Sequence, residues 1–292
     1  MRHAPDGDQA SNGPTRGWTE EIGFSENKER IDASAYRILG VGAVAGLESV
    51  SPNGNAIGAD ISFMTANVSN PDTPGDDLVG VQQIGLGVYW RGTFGNLHAD
   101  VQGGGGYMWA NGRREFIYAD TAGVVHRQTE SSWNGYSVFG RAGVYYDFDT
   151  GNFYVRPGAH VDYIRLHEAG YTETGGGTGF DLAVDGRTGD ALSGTASVIF
   201  GYTFGDDVKW RPEVEIGYRG VIAGSGGTTT AAFTGGGAPF GLAAEQLSGG
   251  GPIARIGLPA YGTFVDLKID AGCEFRDGYT DLDLRMMVRI VF

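Results

Sequence analysis

The chain holds a single cysteine, Cys273, among 292 residues, so no disulfide can close within it and no cysteine-based metal cluster can form. It has no run of about 18 apolar residues, which excludes a membrane-spanning helix. Cations are scarce: 21 Lys and Arg against 35 Asp and Glu give a net charge of −14. A nucleic-acid partner is therefore excluded, because phosphate would be repelled. The opening MRHAPDGDQASNGPTRG lacks the apolar core of a secretory signal. An exported protein of this sequence is expected to carry its signal elsewhere, as a domain of a longer precursor.

Glycine is what the chain has in excess. Its 52 residues more than double average usage, and many sit inside runs of Val, Ile, Tyr and Phe. With 12% aromatics and only ten prolines, the composition reads as many strands joined by turns. A period of two runs through it. In VKWRPEVEIGYRGVI, Val208, Trp210, Pro212, Val214, Ile216, Tyr218 and Ile222 share one face, opposite Lys209, Arg211, Glu213, Glu215 and Arg219. In NFYVRPGAHVDY, Arg156, His160 and Asp162 lie opposite Val155, Val161 and Tyr163. In TFVDLKIDAGCEFR, Asp266 and Lys268 alternate with Val265, Leu267 and Ile269.

Twelve strands are expected, at 16–25, 35–48, 55–67, 79–94, 97–110, 133–148, 152–167, 191–204, 208–223, 251–259, 262–276 and 281–292. Most reach the roughly 9–11 residues that a tilted strand needs to cross a bilayer. Short turns alternate with longer polar segments at 26–34, 68–78, 111–132, 168–190 and 224–250, and a short one follows at 277–280. Alternation alone cannot say which face is inside. Strand length, loop asymmetry and aromatics near strand ends favour an all-β, twelve-stranded, antiparallel up-and-down transmembrane β-barrel. The expected aromatic girdle is Trp18, Trp90, Phe94, Tyr107, Trp109, Phe148, Phe153, Tyr163, Phe204, Trp210 and Phe292. The charged face then becomes a lumen, with Arg156, Asp162, Lys209, Arg211, Glu213, Glu215, Arg219, Asp266 and Lys268 directed into it.

The stretch FYVRPGAHVDYIRLHEAGYTETGGGTGFDLAVDGRTGDALSGTASVIFGYTF resembles the autotransporter β-domain, the translocator barrel of type V secretion. GLGVYWRGTFGNLHADVQGGGGYMWANGRR resembles the hairpin before this block, and KWRPEVEIGYR and the terminal MVRIVF its last third. The resemblance covers residues 17–292. It implies a Gram-negative outer-membrane barrel that assists export of an N-terminal passenger absent from this chain, and then anchors it. It implies short turns in the periplasm and long loops outside the cell. Residues 1–16 form a separate segment, pore-associated or disordered; Pro5, Gly7, Gly13 and Pro14 make them a poor helix.

The resemblance also implies that the β-barrel assembly machinery reads the last strand, through Arg285, Val288, Ile290 and Phe292. Met287 stands where the pattern usually has glycine. An unpaired amphipathic strand can add to another sheet before closing on its own first strand, here 17–24.

Other features read as structural. His160 and Asp162 resemble an acid/base pair, but lumen filling is the simpler account. The GGGG at 103–106 lies inside a strand, without the helix a phosphate loop needs. No GxSxG nucleophile elbow occurs. Asp72, Asp76, Asp77, Glu168, Glu173, Asp181 and Asp185 are expected to be solvated loop charges. The expected protein is thus a monomeric barrel without catalysis, cofactor or metal. Its partners are outer-membrane lipid and lipopolysaccharide, the assembly machinery and its own passenger. The alternatives are a stand-alone pore for small solutes and an outer-membrane hydrolase.

Overall fold

The computed structural model describes residues 15–30, 35–72, 77–121, 123–243, 248–276 and 278–291. Twelve antiparallel strands follow one another around a closed barrel. They are β1 (Thr15–Lys28), β2 (Tyr36–Val50), β3 (Ala56–Ser69), β4 (Leu78–Phe94), β5 (Leu97–Asp120) and β6 (Gly123–Tyr146). Then come β7 (Phe153–Glu168), β8 (Arg187–Tyr202), β9 (Glu213–Ser225), β10 (Gly250–Tyr261), β11 (Val265–Arg276) and β12 (Tyr279–Val291). Each pairs with its sequence neighbours, and β1 pairs with β12 from Arg16↔Val291 to Lys28↔Tyr279, closing the seam. Among the described residues no helix occurs. The expectation for residues 1–16 falls almost wholly outside them.

The period of two sorts side chains between two environments. Leu39, Leu86, Val88 and Ile256 are each more than 60% exposed on the outer surface. So large an apolar surface is stable only against lipid. The alternating positions turn inward and are buried or half-buried.

Three features depart from the sequence expectation. The 111–132 segment is not a loop, because β5 and β6 pair without a break out to Asp120↔Gly123. The 168–190 and 224–250 segments contribute to a separate four-stranded sheet of Tyr171–Thr172, Leu182–Val184, Thr228–Phe233 and Phe240–Ala243. And β1 is turned over: Trp18, expected in the girdle, is 2% exposed and sits inside.

Glycine explains how large side chains fit inside. A Cβ on Gly58 would lie 2.3 Å from the Tyr89 ring, one on Gly46 2.5 Å from Trp18, and one on Gly201 2.1 Å from Tyr154. Each aromatic ring lies flat across the bare backbone of the neighbouring strand. Without the missing Cβ, the ring would have to stand up into the lumen.

Candidate functional site

The site is the barrel interior, where charges from alternate strands meet across glycine or small residues. At the end that carries the short turns, the Glu48 carboxylate on β2 accepts hydrogen bonds from Arg91 on β4 at 2.6 Å and from the Tyr89 hydroxyl at 3.0 Å. Trp18 on β1 donates to the same hydroxyl at 2.7 Å. The other Glu48 oxygen lies 3.9 Å from Arg16 and 4.0 Å from Arg289. Arg289, 1% exposed, also donates to Asp266 on β11, at 2.8 Å through Nε. Glu48 therefore faces three guanidinium groups.

A second group starts at Asp147, in the turn between β6 and β7. Arg156 grips its carboxylate with two donors, the longer at 2.8 Å, and His98 lies 3.3 Å away. His98 stacks on Tyr145 at 4.9 Å. Burial alone would push the Asp147 carboxyl up, but hydrogen bonds and charge from His98 and Arg156 hold it well below the usual carboxylate range. Arg211 stacks on Tyr154 at 3.9 Å, Tyr154 donates to Glu213 at 2.8 Å, and Lys268 reaches the same carboxylate at 2.8 Å.

Toward the other end, Asp162 is shared by Arg141 at 3.5 Å, His160 at 3.3 Å and Arg219 at 3.9 Å. Arg219 also meets Glu274 at 3.4 Å. Arg255 bridges Asp270 and Asp283, and Arg285 binds Asp283 at 2.7 Å. Between these groups the lumen holds one cavity of about 130 Å³ and another of about 520 Å³ toward the long loops.

Of the nine charges expected inside, Arg156, Asp162, Glu213, Arg219, Asp266 and Lys268 take part in these groups. Arg211 joins them through its stack on Tyr154, and Glu215 is buried beside them. Lys209 stands apart, bonded to the Gly205 carbonyl at 2.7 Å. In the last strand, Arg285 turns inward while Ile290 is exposed and Val288 half-buried, both on the outer face. Phe292 lies outside the described residues. The sequence reading missed Glu48, Tyr89, Arg141 and Arg255, and placed Trp18 on the wrong face. The glycines facing the three aromatics were the available signal for Trp18, Tyr89 and Tyr154.

Outside the barrel, two of the expected solvated acids are buried. Glu173, 4% exposed, is gripped by Arg114 from the β5–β6 hairpin and accepts from the Leu182 backbone at 3.0 Å. Asp181, 9% exposed, accepts from the Gly176 and Gly177 backbones at 2.8 and 3.1 Å. Gly177 has φ +92, which suits glycine. Phe180 stacks on Tyr118 at 5.8 Å. Burial and then the Glu173 charge push the Tyr171 hydroxyl up. Asp76 lies outside the described residues.

The profile of the family described as Autotransporter beta-domain matches residues 18–260. The fold is similar to the translocator domain of autotransporter NalP from Neisseria meningitidis, with TM-score 0.69 and 14% identity over 98% of this chain and 90% of that one. It is similar to the beta domain of the Bordetella autotransporter BrkA, with TM-score 0.61 and 16% identity over 96% and 100% of the two chains. The transport unit of the autotransporter AIDA-I from Escherichia coli gives TM-score 0.57 and 10% identity over 99% and 93%. No curated protein matches the sequence.

Proposed function

Because the chain belongs to the autotransporter β-domain family and is a translocator barrel of the outer membrane, we propose that its lumen passes and then holds the C-terminal end of an N-terminal passenger. The observation that carries this reading is the lumen itself, a space inside the barrel whose wall charges are mostly paired across strands. A wall of unpaired charge would bind a passing chain tightly. Arginines shared between carboxylates, as at Asp162 and Asp283, present hydrogen-bonding groups with little net field. An extended polypeptide can exchange contacts along such a wall.

In this reading the short turns face the periplasm and the long loops the exterior. The outer apolar belt contacts lipid and lipopolysaccharide. The assembly machinery receives the last strand through Arg285, Val288, Ile290 and Phe292. The His160–Asp162 contact is shared with Arg141 and Arg219, which suits a structural ion cluster better than an acid/base pair. No catalysis is proposed.

The test is export of a reporter domain fused upstream of residue 1 behind a signal peptide, in a Gram-negative host. Protease added to intact cells should remove the reporter and should cut within 234–239, while sites engineered at 52–54 stay protected. A reporter retained in the periplasm, together with steady solute-selective conductance in planar bilayers, would instead favour a stand-alone pore.

A further inference from the structure

The lumen is packed at one end and hollow at the other. At the short-turn end, side chains stand in layers on bare backbone. Tyr154 lies over Gly201, and Arg211 lies over the Tyr154 ring at 3.9 Å. Arg156 covers the Tyr145 and Tyr154 rings at 5.0 and 5.4 Å. Across the barrel, on β1 and β4, Trp18 and Tyr89 lie over Gly46 and Gly58, edge to face with centroids 6.1 Å apart. Trp18, Tyr89, Tyr154, Arg16, Arg156 and Arg289 are each 4% exposed or less. Arginine heads that line a water column stay wet, so guanidinium groups this dry mark a filled bore. Toward the long loops the Asp162 and Arg219 side chains remain 25% and 36% exposed. The cavities follow the same gradient, about 130 Å³ beside the packed end against about 520 Å³ toward the long loops. The smaller one is lined from β1, β4, β5, β7, β9 and β11 by Glu20, Tyr89, Gln102, Arg156, Glu213 and Lys268. A cavity bounded from all sides of the barrel is what remains of the bore at that level.

We propose that the packed end is a seal, made of the barrel's own side chains, that closes the lumen to ions and leaves a basin open toward the long loops. Its charges neutralise one another locally. Glu48 answers Arg16, Arg91 and Arg289, and Asp147 answers His98 and Arg156. The two groups are joined around the wall by Lys268, which reaches Glu213 at 2.8 Å and stands two positions along β11 from Asp266, the partner of Arg289. An ion entering this end must part such pairs or shed its water among them, and both are costly in a poorly hydrated space. The seal is nonetheless yielding, because every member is a side chain anchored to a fixed wall. A polypeptide in transit displaces guanidinium groups without breaking the backbone pairing of the barrel, and the pairs re-form behind it. The seal thus adds a gate to the translocator reading. Its existence rests on the outer-membrane reading and not on the export role.

Conductance of the purified full chain in planar bilayers tests it, with the band shift on boiling used to confirm that each barrel is folded. The native chain should show no steady conductance. Arg91→Ala combined with Arg211→Ala should give steady open steps, and Arg211→Ala alone, the milder change, should give brief ones. Arg255→Ala, which empties a site toward the long loops, should stay closed, and so should a chain lacking residues 1–14. The inference is overturned if the native chain conducts steadily or if both seal variants fold and stay closed. It is equally overturned if loss of residues 1–14 alone opens the barrel, or if Arg255→Ala opens it as far as the double variant does. Reporter export is scored on the same chains. An open native barrel that still exports its reporter sinks the seal alone, whereas a closed barrel that leaves the reporter in the periplasm sinks the translocator role alone.

Discussion

At the scale of single residues, the lumen holds carboxylates of opposite character. Glu48 has a fully buried side chain and is ringed by Arg16, Arg91 and Arg289. Removing its charge leaves three guanidinium groups facing one another in a poorly hydrated space. Glu48→Gln should therefore cost about 3 kcal/mol in urea unfolding followed by tryptophan fluorescence. Asp281 is the reverse case. Its register partners are Glu26 on β1 and Glu274 on β11, so three carboxylates stand abreast, and among the described residues Asp281 has no cation of its own. Like charges directly opposite destabilise a sheet, so Asp281→Asn should stabilise the barrel by about 0.5 kcal/mol in the same measurement. Asp147 adds a pH dependence of known sign. Its carboxyl lies below its unfolded-state value of about 3.9, so its contribution is complete above that pH and drains away as pH falls toward the folded value. The stability difference between the native chain and Asp147→Asn should thus shrink as pH falls below about 4. A difference that grew in acid would contradict the His98 and Arg156 assignment.

At the scale of elements, the strands were legible because a barrel wall alternates between two solvents along every strand. Leu282, Leu284, Met286 and Ile290 against Asp283, Arg285 and Arg289 is the plainest instance. Alternation stopped being informative where both faces meet water. Residues 111–132 looked like a loop because polar and charged residues outnumber Phe116, Ile117, Tyr118, Val124 and Val125 there, yet they continue β5 and β6 as a hairpin held by backbone pairing. The small outer sheet pairs 182–184 with 231–233, a contact no local pattern announces. Trp18 misled in another way, since an aromatic near a strand end suits a girdle as well as a lumen. What places it inside is its partner at Gly46, and that needs the register. The ring-over-glycine device makes its own prediction. Gly58→Val must push Tyr89 off β3 and break its bond to Glu48, costing about 2–3 kcal/mol as an overpacked core does. In a Tyr89→Ala background the same Gly58→Val should cost far less, and a double-mutant cycle measures that coupling. Equal costs in both backgrounds would show that the ring does not need the bare backbone.

At the scale of the molecule, the net charge of −14 belongs mainly outside the lumen, where acids and arginines are matched by named pairs. The closed barrel depends on a single seam that joins the two ends of the chain. Its register runs through thirteen residue pairs, from Arg16↔Val291 to Lys28↔Tyr279. Until β1 and β12 meet, both are edges with unsatisfied backbone groups, and an amphipathic β12 is free to pair with another sheet. All thirteen described pairs lie within residues 279–291 of β12 and remain when the terminal residue is removed. Deleting Phe292 should then separate kinetics from equilibrium. The shortened chain, refolded from urea into detergent micelles, should keep the native unfolding midpoint. In cells it should accumulate as degraded or periplasmic material if, as proposed, recognition of the last strand precedes closure. Pulse-chase of the heat-modifiable folded form measures the rate, and urea titration of the refolded barrel measures the stability. If the midpoint falls in step with assembly, the terminal aromatic acts by holding the seam together. An unchanged midpoint with slow assembly places its role before the barrel closes.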